Sequence, residues 1–360
     1  MARITFLICF AFALSSCNNS APEREPDTDI THPTNDDEVS VTTIAEGLEV
    51  PWDVTFAGGR TFVTERDRGR VVELLNGSVE KLRDFDIDNA GEGGLLGLAA
   101  SPNFDDDRLL YAYKTTAEDN RVVRFSVDDQ DDAEPVLTGI PKGPIHNGGR
   151  IAFGPDEHLW ITTGDAAEPD LSQDEESLAG KILRVTADGS IPQDNPTEGS
   201  PVYAMGLRNV QGLAWDADDN LYATEFGPDV DDEVNRIEAT KNYGWPEVTG
   251  TAEESDFEDP IFVRQPSVAS WSGATFLVDA SIPDWENHLF VAALRGSRIW
   301  RLELSDDGQV IADEELFTDR WGRLRHITQA PDGSLWVLTS NRDGRGDPVD
   351  GDDRIVRIGH

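Results

Sequence analysis

Basic residues are scarce in this chain. Lysine occurs only as Lys81, Lys114, Lys142, Lys181 and Lys241, and 30 basic residues face 70 acidic ones, a net charge of −40. A chain this anionic repels nucleic acid and anionic lipid surfaces, which argues against both as partners. The composition suits salt-rich surroundings, where screening over a few ångströms makes self-repulsion tolerable. Cysteine is limited to Cys9 and Cys17. Once a leader is removed, no disulfide can form and no cysteine nucleophile remains. No amphipathic stretch reaches twelve residues at helical spacing. No G-x-S-x-G elbow and no glycine-rich phosphate loop before a helix is present, so nucleotide hydrolysis and nicotinamide chemistry lack support.

The N-terminus reads as an address. Residues 1–16 combine Arg3 with the apolar run ITFLICFAFAL, as a signal peptide does, and the run is too short to span a bilayer. LSSC then places Cys17 as the residue a lipoprotein would lipidate. Residues 17–38 form the lipidated cysteine and an acidic, Pro-bearing tether. The expected location is therefore outside the cytoplasm, with the membrane touched only through the lipid.

Residues 39–360 repeat. Six segments share one order: an apolar strand, a Gly/Asp turn, an alternating strand, and a strand resembling R-I/V-x-R. The first strands are WDVTF, GLLGLAA, RIAF, QGLAW, GATFL and LRHIT. The third are RVVEL, RVVRF, KILRV, EVNRI, RIWRL and RIVRI, beginning at 70, 121, 181, 233, 298 and 354 and so 51 to 65 residues apart. Such units predict an all-β, six-bladed β-propeller of four-stranded antiparallel blades. VSVTTIA (39–45) is placed to supply the last blade's outer strand.

In a propeller the loops before the first strands and after the second strands open on one face. The first set holds Trp52, Glu92, His146 with Asn147, Arg208 with Asn209, Ser270 to Ser272, and Arg323 with Arg325. The second holds Asp165, Gly227 with Pro228, Arg295 with Gly296, and Ser340 with Asn341. His146 precedes one strand of a hairpin and Asp165 ends the other. An imidazole suits proton transfer near neutral pH, and a carboxylate can fix its tautomer. Several arginines converging in so acidic a protein point to a small ligand with several carboxylates. The segment EFGPDVDDEVNRI offers carbonyls at Gly227 and Pro228 and carboxylates such as Asp232 and Glu233, hard donors of the kind Ca²⁺ prefers. His326, inside a first strand, reads as a satisfied core or channel-wall histidine. Trp160, Trp215, Trp300 and Trp336 read as packing between blades, whereas Trp52, Trp271 and Trp321 are placed near the mouth.

GEGGLLGLAASPNF, HNGGRIAFGPDEHLWITTGDA, SLAGKILRV, YAMGLRNVQGLAW, EFGPDVDDEVNRI, NYGWP, LRGS and RLRHITQAPDGSLWVLTSNRDG together resemble the soluble quinoprotein sugar dehydrogenases, from about residue 41 to the end. Those are six-bladed propellers dependent on pyrroloquinoline quinone (PQQ) that oxidise glucose and other aldoses. The resemblance implies His146 as general base, Asp165 as its orienting partner, and Arg208 as a further catalytic residue. It implies that Glu92, Arg208, Asn209, Arg295, Gly296, Arg323 and Arg325 bind PQQ. It implies Ca²⁺ on the Gly227 and Pro228 carbonyls, with Glu233 and the Tyr243 carbonyl matching a further calcium position. The substrate would be an aldose and the electrons would leave to an external acceptor; monomer and homodimer both stay open. Leu207 and Phe226 stand where the family commonly has histidines, Glu92 where it often has glutamine, and Ser340 where relatives carry aspartate. The two histidine replacements imply a less polar pocket. Two other readings share these residues: a Ca²⁺-dependent propeller lactonase or other hydrolase, and a non-catalytic ligand-binding propeller.

Overall fold

Strand alternation and Gly/Asp turns build six four-stranded antiparallel sheets, the six blades of a β-propeller. The computed structural model describes residues 39–75, 77–129, 133–252 and 256–360. The signal segment, Cys17 and the tether lie outside the described residues. From the innermost strand outwards, blade 1 comprises Pro51–Ala57, Arg60–Glu65, Arg70–Leu75 and Ser78–Asp84; blade 2, Leu95–Ala100, Leu109–Thr115, Asn120–Ser126 and Glu134–Ile140; blade 3, Ile151–Phe153, Leu159–Thr162, Lys181–Val185 and Val202–Met205. Blade 4 comprises Val210–Trp215, Leu221–Glu225, Asp232–Ile237 and Phe262–Arg264; blade 5, Trp271–Phe276, Leu289–Ala293, Arg298–Leu304 and Val310–Leu316. Blade 6 comprises Leu324–Gln329, Leu335–Thr339 and Ile355–Gly359, and Ser40–Ala45 is its outer strand. That N-terminal strand ties the chain's beginning to its end and closes the ring, as the sequence predicted. The only helical segments among the described residues are Phe104–Asp107, Pro169–Ser172 and Pro283–Trp285, each a single turn.

Burial is greatest in the second strands and falls towards the rim. Second strands such as Leu289–Ala293 and Leu221–Glu225 are buried at every position, because neighbouring blades cover both faces. Outer strands such as Ser78–Asp84 and Val310–Leu316 are largely exposed and charged, which blunts their free edges. Blades are stapled in two repeated ways. An aromatic of one blade's second strand meets an aromatic of the next blade's first strand, as in Tyr111–Phe153 (5.0 Å), Tyr222–Phe276 (5.2 Å) and Trp336–Phe56 (5.0 Å). Each such pair adds about 0.5–1.5 kcal/mol beyond burial. Nearer the other end, Thr64 donates to the Leu96 carbonyl (2.7 Å), Thr162 to that of Val210 (2.8 Å) and Thr224 to that of Ser272.

In five blades the pairing of first and second strands slips near its start, between Pro51 and Asp53, Leu95 and Leu98, Val210 and Gly212, Trp271 and Ala274, and Leu324 and His326. A bulge leaves a residue unpaired and re-aims its side chain. The skipped residues include Trp52, Gln211 and Arg325, and all three turn towards the axis as the floor of a cavity on one face. Below them Asp53, Arg150 and His326 form a buried polar layer, beneath which a second cavity of about 740 Å³ opens on the opposite face.

Candidate active site

The upper cavity has a volume of about 520 Å³. Blade 3 gives it His146 and, behind that, Asp165. His146 sits at φ 60°, a left-handed conformation that histidine tolerates better than most residues but that still stores strain. The turn is forced by close packing: the His146 carbonyl accepts the Ala166 N–H at 3.1 Å, and a Cβ on Gly164 would lie 2.0 Å from that oxygen. His146 Nδ1 lies 2.7 Å from Asp165 Oδ1. Asp165 is fully buried; the same oxygen accepts the Ala167 N–H (2.8 Å) and Oδ2 accepts the Trp245 indole N–H (2.9 Å). His146 Nε2 has no partner among the described residues, and the residue lines the cavity. An aspartate on Nδ1 and an open Nε2 are what a general base requires.

Blade 4 contributes Arg208 and Asn209. Arg208 donates through Nη1 to the carbonyls of Phe226 (2.9 Å) and Gly227 (2.5 Å), and its backbone N–H reaches Glu225 Oε1 (2.6 Å). Burial pulls the Arg208 guanidinium below its ordinary range, opposed by Asp165 and Glu225. Asn209 accepts the Gly148 N–H (3.0 Å), which locks the His146 loop to blade 4. Blade 6 contributes Arg323, whose Nε and Nη2 both donate to Asp343 Oδ2 (3.0 and 2.8 Å), and Arg325, whose Nη1 donates to Gln211 Oε1 (2.6 Å). Burial also weakens the hold of Arg325 on its proton, though not enough to discharge it at neutral pH. Blade 5 contributes Arg295, exposed at the rim, and Ser270. Glu92 accepts the His146 N–H (2.9 Å) and pairs with Arg345 (2.8 Å).

Arg66, Arg208, Arg295, Arg323, Arg325 and Arg345 line the cavity against only Glu92, Asp232 and Asp343, so it is cationic within an anionic protein. The Nε atoms of Arg208 and Arg325 are buried without a hydrogen-bond partner. Unpaired buried donors are costly, and a ligand with several carboxylates would satisfy them.

Most residues that the sequence placed at the mouth come together there, with exceptions. Gly296 does not line the cavity; its N–H bonds the Ala269 carbonyl, and a Cβ would lie 2.1 Å from the Val268 oxygen, so it shapes the turn behind Arg295. Trp271 packs on Phe262 and Trp300, and Trp321 on Phe317; of the three mouth tryptophans only Trp52 reaches the cavity. Leu207 is core, packed with Trp160 and Ile182, so only Phe226 makes the pocket less polar. Asp343 stands beside Ser340, so a carboxylate is present there after all, supplied from three residues along the loop. Arg66, Asp343 and Arg345 lie on loops that follow second strands, the expected face, but at positions with no counterpart in the other blades. Trp245 lies between the third and fourth strands of blade 4, outside the repeat; none of the four was singled out by the sequence.

Gly227 and Pro228 line the cavity, but Glu233 and Tyr243 do not. Glu233 is buried, its carboxylate accepting the Gly250 N–H (2.6 Å) and facing Asn235 (3.3 Å), which also faces Glu225. Burial raises Glu233 to about 7 and Asp232 to about 6. Among the described residues no three acidic, histidine or cysteine side chains are grouped to hold a metal ion. A cation in the cavity would have the Gly227 and Pro228 carbonyls, isolated carboxylates such as Asp232, and oxygens from its ligand.

Comparison with known proteins agrees with this architecture. Residues 48–350 match the glucose/sorbosone dehydrogenase family. The PQQ-bound aldose sugar dehydrogenase of Streptomyces coelicolor superposes with a TM-score of 0.83 at 43% identity, covering 89% of this chain and 98% of that one. Aldose sugar dehydrogenase YliI of Escherichia coli is 29% identical over 85% of this chain and 91% of its own. Quinoprotein glucose dehydrogenase B of Acinetobacter calcoaceticus is 32% identical over 77% and 80% respectively. With the fold, the repeat and the match in agreement, this chain belongs to the glucose/sorbosone dehydrogenase family.

Proposed function

We propose that this protein is a PQQ-dependent aldose dehydrogenase that oxidises the anomeric carbon of an aldose to a lactone, with His146 as general base. The observation that carries the reading is the pairing of an arginine-lined cavity with His146 and Asp165 on its wall. PQQ has three carboxylates, and the unpaired donors of Arg208 and Arg325 suit them. Arg208, Asn209, Arg295, Arg323, Arg325 and Glu92 would hold the cofactor. When bound, the quinone supplies the hydride acceptor. His146 Nε2 takes the proton of the anomeric hydroxyl as the C1–H bond breaks, and Asp165 steadies the imidazolium that results. Arg208, next to developing negative charge, stabilises it. The lactone leaves, and two electrons pass on to an external acceptor.

Ca²⁺ would bind the Gly227 and Pro228 carbonyls and polarise the quinone as a Lewis acid. Arg208 already donates to the Gly227 carbonyl, so a cation held there would share that oxygen with its guanidinium. A second ion would use Glu233 and the Tyr243 carbonyl. Cys17 would anchor the enzyme outside the cytoplasm through lipid, leaving the propeller to work at the surface.

The test mixes purified protein with PQQ, Ca²⁺, glucose or another aldose, and a redox dye. Dye reduction that needs both cofactor and sugar, and that disappears in His146→Ala, is expected. Absence of aldose-dependent reduction, with no PQQ retained by the protein, overturns the reading.

A further inference from the structure

Trp245 does not line the cavity, yet it touches two residues on which the proposed chemistry depends. It belongs to the excursion between the third and fourth strands of blade 4, outside the repeat. Its indole N–H donates to Asp165 Oδ2 at 2.9 Å. The face of the same ring lies 5.3 Å from the Arg208 guanidinium carbon, within cation–π range. Asp165 and Arg208 carry opposite charges and neighbour one another, since the Asp165 N–H bonds the Arg208 carbonyl at 2.8 Å. Even so, their side chains form no ion pair; Arg208 turns to the carbonyls of Phe226 and Gly227.

The tryptophan is itself held. Its backbone N–H donates to the Gly206 carbonyl (2.9 Å), and its carbonyl accepts Gln173 Nε2 (2.7 Å), which also bonds Asn242. One rigid ring thus meets the carboxylate at its edge and the guanidinium at its face. Asp165 has no solvent to turn to, so an oxygen deprived of the indole would seek another donor. Arg208, whose carbonyl already takes the Asp165 N–H and whose guanidinium lies over the same indole, is a strong donor at hand. A carboxylate drawn to Arg208 would leave His146 Nδ1, and the guanidinium would leave the cavity.

We propose that Trp245 is a positioning residue that holds Asp165 on His146 and keeps Arg208 from closing on Asp165. The inference rests on the reading of His146 as base, and its test separates the two. Trp245→Phe keeps an aromatic face while removing the indole N–H together with the five-membered part of the ring; Trp245→Ala removes the aromatic face as well. In the cofactor-free full-length protein, proton NMR detects the low-field Nδ1–H of His146, assigned by its absence in His146→Ala. In Trp245→Phe that proton is expected to exchange with solvent at least about tenfold faster, the order expected for losing one charge-assisted hydrogen bond. In the PQQ-loaded protein, kcat falls by a similar factor while the sugar KM holds. Trp245→Ala additionally weakens PQQ binding, because Arg208 is free to turn.

An unchanged His146 proton together with unchanged kcat in Trp245→Phe overturns the proposal. The NMR change without any aldose oxidation by the parent protein supports the positioning role and rejects the dehydrogenase reading instead. Should Trp245→Phe fail to fold, the reciprocal test uses Asp165→Ala: the Trp245 indole proton must move upfield and lose protection, and a static indole resonance counts against the proposal.

Discussion

Besides an outlying pair of His158 and Asp156 on a surface turn, two histidine–aspartate pairs sit near the propeller axis, and their surroundings give them different work. His146 and Asp165 meet at 2.7 Å on the wall of the upper cavity; His326 and Asp53 meet at 3.1 Å in the buried layer beneath its floor. Asp165 shares its second oxygen with a neutral indole, so its charge remains available to an imidazolium. Asp53 gives its second oxygen to Arg150 at 2.6 Å and to the Leu98 N–H at 2.9 Å, so its charge is already matched. Burial and Arg150 push His326 well below its ordinary 6.5, which keeps the ring neutral. Its other nitrogen faces Gly273, where a Cβ would lie 2.4 Å away, whereas His146 lines the cavity and its Nε2 has no partner among the described residues. A histidine next to an aspartate is therefore not by itself an acid–base site; the carboxylate's remaining partner and the space before the outer nitrogen decide.

Breaking each pair should have opposite consequences. The largest effect belongs to His146→Ala, expected to lower kcat about 10³-fold while the melting temperature and PQQ retention hold. Asp165→Asn keeps the shape but offers Nδ1 an amide N–H, which favours the imidazole tautomer with its proton on Nε2, and steady-state kinetics should show a loss of about 10²-fold. In the other pair, Asp53→Ala leaves Arg150 buried and unpaired; denaturant unfolding should show a loss of about 3–5 kcal/mol, with kcat of the folded fraction unchanged.

The pH dependence of stability sharpens the contrast. A base whose folded-state pKa is depressed contributes stability that is present above its unfolded pKa and lost as pH falls below it. For His326 that loss sets in below about pH 6.5, at up to about 1.4 kcal/mol per pH unit, as the unfolded chain takes up a proton that the folded chain refuses. His326→Gln should flatten that slope in unfolding measured between pH 6.5 and 5. The smallest effect is expected for Arg345→Ala. Arg345 is 61% exposed, so its pair with Glu92 contributes within about 1 kcal/mol to stability, and the change should appear in the sugar KM rather than in the melting temperature.

Much of this was legible from residue order because the signals are local. Alternation at period two, Gly/Asp turns and the R-I/V-x-R strand repeat six times, and Ser40–Ala45 fits the one vacant edge. Ring geometry then sends the loops holding His146, Arg208 and Arg323 to one face. The same logic misplaced Leu207, Trp271 and Gly296, since a position next to a first strand need not point at the axis. Whether it does depends on the bulge, which turns Trp52, Gln211 and Arg325 inwards, and a register slip between strands is not written in either strand alone.

The blade number, the closing strand, and the face on which a histidine, an aspartate and several arginines collect could be read from residue order, because each follows from a short-range period. Which of the two axial histidine–aspartate pairs has an open nitrogen, that the Trp245 indole reaches Asp165 from eighty residues away, and that Asp343 pairs with Arg323 emerged only on folding. Those outcomes depend on burial and on contacts between loops without periodicity, which exist only once six blades have closed around one axis.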